Sequence, residues 1–233
     1  MWQDDPKDQE DQEVHEVAVR SGRVELGGSL GLPPGARGLV VFAHGSGSSR
    51  FSPRNRAVAR SLRDAGLATL LFDLLGADEE AMDAGTGELR FDIPFLARRL
   101  IAVTRWAQAQ PELSGMGLGY FGSSTGAAAA LVAAALHPEL VQSVVSRGGR
   151  PDLAGPALAR VRAPTLLLVG SLDVDVLELN QDAFDELSAA KSLIVIPGAT
   201  HLFEEPGTLE EVARRAADWF TRHLDAPRLE ARE

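Results

Sequence analysis

The run Gly38–Ala43, GLVVFA, holds no polar side chain. A strand can be apolar throughout only when both of its faces are covered, so this one belongs inside a sheet with a layer on either side. Further strands are expected at Leu67–Phe72, Gly115–Phe121, Val141–Val145, Pro164–Val169 and Ser192–Ile196, with helical segments between them. Such alternation calls for a mostly parallel central sheet with helices on both faces, an α/β class fold. His15–Val19 and Arg23–Leu26 flank Ser21-Gly22 and predict an antiparallel N-terminal hairpin at the sheet edge. Ser52-Pro53 is a helix start, with serine as cap and proline in the first turn, and Gly66 is its stop. Helices are also expected near Ile93–Ala109, over the alanine-rich stretch that ends near His137-Pro138, and near Leu209–His223. The segment Gly76–Arg90, broken by Gly76, Gly85 and Gly87, reads as a long loop, either solvated or a lid over the site.

At 233 residues, 45% of them hydrophobic, one core is the default, and residues 14–225 are expected to form a single domain. Of the formal charge of -10, half falls on residues 1–13, where six acids face only Lys7. This segment is expected to be a disordered acidic tail. The mildly acidic remainder has no basic run, which disfavours DNA and RNA as partners. There is no cysteine, so disulfides, thiolate metal sites and a cysteine nucleophile are excluded. No signal peptide and no apolar run of membrane-spanning length is present, so a cytoplasmic protein without a membrane partner is expected.

Gly122-Ser123-Ser124-Thr125-Gly126 fits Gly-x-Ser-x-Gly between an expected strand and an expected helix. A serine on so tight a turn needs strained backbone geometry, which flanking glycines permit, and its hydroxyl then stands at the carboxyl edge of the sheet. Serine needs a base, and five histidines are available. His15, His137 and His223 fit edge, cap and helix-end positions, and His44 closes a buried strand. His201, in Pro197-Gly-Ala-Thr-His201, follows the last strand among small residues and is the preferred base. The orienting acid should leave a strand between the two in chain order, and Asp173 after Leu166–Gly170 does so. Asp175 and Asp152 are the alternatives. Backbone N–H groups of Ser46 and Thr125 are the candidate oxyanion donors. The Gly45–Gly47 loop lacks the Gly-Lys-Ser/Thr of a phosphate-binding loop.

With these residues placed, the chain resembles the α/β-hydrolase superfamily over about residues 15–225, and within it the dienelactone-hydrolase-like group. The resemblance rests on His44-Gly45-Ser46-Gly47, Gly122-Ser-Ser124-Thr-Gly126, Gly170-Ser-Leu-Asp173 and Gly198-Ala-Thr-His201, in that order. Dienelactone hydrolases proper use cysteine as nucleophile, so the serine here favours an esterase-type reaction over dienelactone itself. The resemblance implies two-step acyl transfer on a small-molecule ester, lactone or thioester, with Ser124 as nucleophile, His201 as base and Asp173 as orienting acid, and with no cofactor or metal. Acyl transfer or perhydrolysis on the same triad, or a silent binding module, are the other readings. Arg50 and Arg54 follow the oxyanion loop and Arg147 and Arg150 follow a strand. Since ligands of open parallel sheets bind at that edge, Arg50 and Arg147 are candidates for holding a substrate anion, against structural ion pairs with neighbours such as Asp73 or Asp152.

Overall fold

The computed structural model describes residues 14–224, and the acidic tail expected at residues 1–13 lies outside them. In chain order the strands are β1 (Val14–Ser21), β2 (Val24–Gly31), β3 (Gly38–Ala43), β4 (Ala68–Phe72), β5 (Gly117–Ser123), β6 (Ser143–Arg147), β7 (Thr165–Gly170) and β8 (Lys191–Ile196). They form a single eight-stranded sheet in the order β1-β2-β4-β3-β5-β6-β7-β8. The β1-β2 and β2-β4 pairs are antiparallel, and every pair from β4 to β8 is parallel. This is the α/β-hydrolase fold with its antiparallel N-terminal hairpin. The hairpin does not merely lie at the edge, because β2 runs on to Gly31 and joins β4.

Two layers cover the sheet. Helix α1 (Pro53–Asp64) and helix α7 (Thr208–His223) pack against one face, around Phe42, Phe121, Val145, Phe203 and Phe220. On the other face lie α4 (Ile93–Gln108), α5 (Thr125–Leu136), a 3-10 segment Pro151–Arg160 kinked at Gly155, and α6 (Val174–Glu186). Ser52 caps α1 by accepting the Asn55 N–H, with Pro53 in the first turn, as expected from sequence. Asp92 caps α4 in the same way through the Phe95 N–H at 2.9 Å.

Residues 76–90 depart from the expected loop. They fold as α2 (Ala77–Thr86) and α3 (Glu88–Phe91), with Gly87 between them at φ 70. Glu79 accepts the Gly76 N–H at 2.9 Å and ties down the start of α2. The buried Asp83 carboxylate accepts the N–H groups of Leu89 and Arg90 and the Arg90 Nε at 2.6 Å, which folds α3 back onto α2. Those donors hold the Asp83 carboxyl below its ordinary range. Gly85 is absorbed inside a helix, and Gly87 supplies the left-handed residue that ends one.

Candidate functional site

The site is assembled where β3, β5, β6 and β7 end. Ser124 adopts φ 51 and ψ -125 between β5 and α5. A non-glycine residue in this region costs on the order of 1–3 kcal/mol and persists only when its surroundings force it. They do so here through contacts that no larger residue could make. A Cβ at Gly122 would lie 2.7 Å from the Ala127 nitrogen, and one at Gly126 would collide with the carbonyl oxygens of Ala43 and His44. The glycines thus let α5 start directly above the ends of β3 and β5. The Ser124 carbonyl is fixed from two sides, accepting the N–H of Ala127 at 3.1 Å and of Arg150 at 3.1 Å.

Asp173 and His201, 28 residues apart, meet: His201 Nδ1 lies 2.7 Å from Asp173 Oδ2. Their loops converge because Gly170 is bare. A Cβ there would strike the Ala199 carbonyl oxygen and lie 2.8 Å from that of Thr200. The Leu172 N–H bonds Ala199 O at 2.9 Å, and the Ser171 hydroxyl accepts the Gly198 N–H at 2.8 Å. After His201 the turn is held by the Glu205 carboxylate, which takes the Thr200 N–H at 3.1 Å and its hydroxyl at 2.6 Å. These donors keep the Glu205 carboxyl below its ordinary range. Phe203 closes the turn at φ 55 with its ring buried in the α1/α7 layer. The Gly148–Arg150 turn lies under both halves of the site: a Cβ on Gly148 would sit 3.6 Å from His201 Cε1, while the Arg150 N–H holds Ser124. The Ser124 hydroxyl itself makes no hydrogen bond among the described residues. Resting catalytic contacts are often loose and tighten only around substrate.

The loop after β3 presses on the serine, since a Cβ on Gly45 would lie 2.9 Å from Ser124 Cβ. His44 anchors that loop. Its Nε2 is 3.1 Å from the Leu74 N–H and must accept, so Nδ1 carries the proton and donates to Gly45 O at 2.9 Å. Burial lowers the His44 pKa and keeps the ring neutral. From sequence this residue closes a buried strand and opens the His44-Gly45-Ser46-Gly47 motif, with no anchoring role expected of it. Its spacing to the Gly45-Ser46 loop was the available signal. Of the two candidate oxyanion donors, Thr125 N–H is the first of α5 and has no intrahelical acceptor. Ser46 N–H is spoken for in the resting structure, donating to the Thr125 hydroxyl at 3.0 Å.

A narrow cleft opens beside this loop, lined by His44, Ser46, Leu74, Leu96 and Thr125, and by Glu80 and Arg90 from the α2-α3 segment. It begins at the Ser124 turn without including Ser124 or His201 in its lining. Neither arginine proposed from sequence as an anion holder lines it. Arg50 is turned away, its guanidinium bonded to Asp73 and to Glu16 at 3.0 Å and stacked on Phe51. Burial, the largest single effect, works to lower its pKa, but the hydrogen bonds and charges of Asp73 and Glu16 together outweigh it and raise the pKa. Arg147 is buried on the α1/α7 side of the sheet, 5.9 Å from the centre of the Phe203 ring. Arg150 is paired with Asp152 at 2.7 Å. Of the alternative acids, Asp152 is therefore occupied elsewhere, while Asp173 holds the histidine.

Among the described residues no group of three or more histidines, aspartates or glutamates is placed to hold a metal ion, and no helix is long and apolar enough to cross a membrane. The sequence profile of the dienelactone hydrolase family matches residues 26–226. The chain is 56% identical to a dienelactone hydrolase of Anabaena variabilis whose crystal structure is known, covering 91% of this chain and 100% of that one with a TM-score of 0.89. It is 58% identical over 212 residues to proteins from two strains of Mycobacterium tuberculosis that carry a provisional phosphoribosyl transferase name, covering 91% of this chain and 47% of theirs. The chain thus spans about half the length of the curated relatives it matches. The fold is also that of Est1E from Butyrivibrio proteoclasticus, at 17% identity, 89% and 98% coverage and a TM-score of 0.73. With the profile spanning the sheet from β2 to the end of α7 and the whole of the Anabaena enzyme superposing on it, the chain belongs to the dienelactone hydrolase family of α/β-hydrolases.

Proposed function

We propose that the chain is a serine hydrolase of small-molecule carboxylic esters, lactones or thioesters, working through an acyl-Ser124 intermediate. The observation that carries the reading is the backbone of Ser124, held at φ 51 between strand and helix where only a required geometry would be kept. His201 takes the Ser124 proton as the oxygen attacks the substrate carbonyl. Asp173, 2.7 Å from Nδ1, fixes the tautomer that leaves Nε2 free to accept and stabilises the imidazolium that forms. The Thr125 N–H, at the positive end of α5, meets the developing oxyanion, and the Ser46 N–H joins it once the Thr125 hydroxyl rotates away. His201 then returns its proton to the leaving group. In the second half it draws a proton from water as the water oxygen attacks the acyl carbonyl, and it returns that proton to the Ser124 oxygen as the acyl bond breaks and the acid leaves.

The side chain of His201 is 41% exposed, so water reaches the base directly, as hydrolysis requires. The transferase name of the mycobacterial relatives describes proteins about twice as long. This chain matches less than half of their length, and over residues 26–226 it carries the dienelactone hydrolase profile.

The test is a panel of aryl and alkyl esters, lactones and thioesters with Ser124→Ala as control, alongside labelling by a fluorophosphonate. Turnover should fall on the order of ten-thousand-fold or more in the variant, with melting temperature unchanged and labelling lost. Turnover retained within tenfold would remove Ser124 from the role. Preferential product formation with an added alcohol or peroxide would replace hydrolysis by transfer.

A further inference from the structure

A buried amide reaches the Ser124 turn from the helix layer beside it. Asn180 sits in the middle of α6 with none of its surface exposed. Its Nδ2 donates to Val176 O, one turn back, at 2.7 Å and to Gly149 O at 3.0 Å. Its Oδ1 is shut off from solvent and meets no donor among the described residues. Turning the amide over would set that oxygen against two carbonyls, so only this orientation fits. A buried acceptor left unpaired costs stability, and an apolar residue would fill the same helix position without that cost. What the amide supplies is its donors. Gly149 O and the Arg150 N–H are the two ends of one planar peptide unit. Asn180 holds the oxygen end, while the N–H end donates to Ser124 O at 3.1 Å. The turn around this peptide is closely packed. A Cβ on Gly149 would collide with Ser146 Oγ and lie 2.6 Å from Ala127 Cβ, and one on Gly148 would lie 3.2 Å from His201 O.

We propose that Asn180 is a positioning residue for the nucleophile, acting through the Gly149–Arg150 peptide to keep Ser124 in its positive-φ backbone; this rests on the reading of Ser124 as the nucleophile. Such a backbone persists only where the surroundings over-determine it. Two N–H groups converge on Ser124 O, those of Ala127 and Arg150. Ala127 belongs to α5 and moves with the serine turn, so of the two only Arg150 ties that turn to a separate segment. Without Asn180, Gly149 O is left buried without its donor, and the peptide plane gains by rotating toward another one. Its N–H then leaves Ser124. The serine hydroxyl loses its fixed place relative to His201 and to the Thr125 N–H, and the chemical step slows. The Ser46 loop, Leu74 and Leu96 lie on other elements, so the cleft they line is untouched. The loss therefore falls on kcat and not on KM.

The experiment compares two α6 variants of the full chain by their rate of fluorophosphonate labelling and by kcat and KM on an activated aryl ester. Asn180→Leu removes the donors at similar volume. Ala183→Gly loosens the same helix at a buried position three residues on, from which no hydrogen bond runs to Gly149. Both should melt lower than the parent. Asn180→Leu should lose on the order of tenfold to a hundredfold in labelling rate and in kcat, with KM within about twofold of the parent. Ala183→Gly should keep the parent's labelling rate and kcat. Should Asn180→Leu fail to fold, Asn180→Ala takes its place, since it keeps the helix and adds no bulk. Parent-like labelling in a folded Asn180 variant would overturn the proposal, as would a loss carried by KM alone. Equal losses in Ala183→Gly would overturn it too, by making the effect one of stability. A parent chain that takes no label, or takes it equally in Ser124→Ala, would remove Ser124 as the nucleophile and this role with it. Labelling that needs Ser124 but not Asn180 would sink the role of Asn180 alone.

Discussion

Gly126→Ala is the smallest change that should separate Ser124 from its surroundings. A methyl group there would overlap the carbonyl oxygen of Ala43 and lie 2.5 Å from that of His44, both backbone atoms at the end of β3. Comfortable carbon to oxygen contact begins near about 3.3 Å, so α5 and the Ser46 loop must part by roughly 0.8 Å or more. Overpacking of this kind costs about 1–3 kcal/mol, which for a domain of this size lowers the melting temperature by roughly 3–10 °C. The larger effect should fall on turnover. The displacement lies between Ser124 and the Ser46 and Thr125 N–H groups, and a misplacement of this order can cost about a hundredfold in rate. Gly85→Ala provides the contrast, since it sits inside α2 and a Cβ there meets nothing within 4 Å. It should stabilise by about 0.5–1 kcal/mol through helix propensity alone. Melting curves and ester turnover of the two variants, measured side by side, check the reasoning. Wild-type turnover and stability in Gly126→Ala would refute it, because no flexible side chain is present to give way.

His44 yields a prediction in pH. Burial lowers its folded pKa below the unfolded value of about 6.5, so above that value both states are neutral and its contribution is fully present. As pH falls through 6.5 the unfolded chain takes up a proton that the folded chain refuses, and stability drops by up to about 1.4 kcal/mol per pH unit. Urea unfolding of the parent and of His44→Gln between pH 7.5 and 5.5 should show this slope reduced in the variant, and equal slopes would contradict the assignment. Arg50→Met should lower the melting temperature by breaking the Asp73 and Glu16 pairs while changing kcat/KM on an anionic ester and its neutral isostere alike. A loss confined to the anionic ester would return Arg50 to the substrate.

The order of strands and helices was legible because buried parallel strands are nearly pure runs of apolar residues, but their carboxyl ends were not. Two expected strands, at Gly115–Phe121 and Val141–Val145, each lie two residues too early, and the observed β5 and β6 close on Ser123 and Arg147. Gly122 still pairs with Ser146, and Ser123 with Arg147, so the ladder continues through polar residues that a hydrophobic pattern ends at. The offset moves only the ends of the strands and leaves the apolar residues they share in the sheet. The α2-α3 segment was missed for a different reason. Its glycines read as breakers, and what holds it as helix is the Asp83 carboxylate accepting from Leu89 and Arg90, a contact between residues six and seven apart.

At the site the divide falls between local and distant causes. Gly122, Gly126 and Gly170 announce close backbone approach in the sequence itself, and from them the Ser124 turn and the meeting of Asp173 with His201 could be reasoned. The arginines could not be sorted that way, because position at the carboxyl edge says nothing about which side of the sheet a side chain takes or what acid waits there. Arg50 finds Asp73 at the end of β4, one of the ion-pair partners expected from sequence, and also Glu16 on β1, which only the strand order brings near. Arg147 shares its parity with Val145 on β6 and, through the register, its face with Ser123 and Phe121 on β5, which directs it under α1 and away from the cleft. The same parity that keeps Arg147 out of the cleft lining places its guanidinium beside the Phe203 ring, on the α1/α7 side of the sheet.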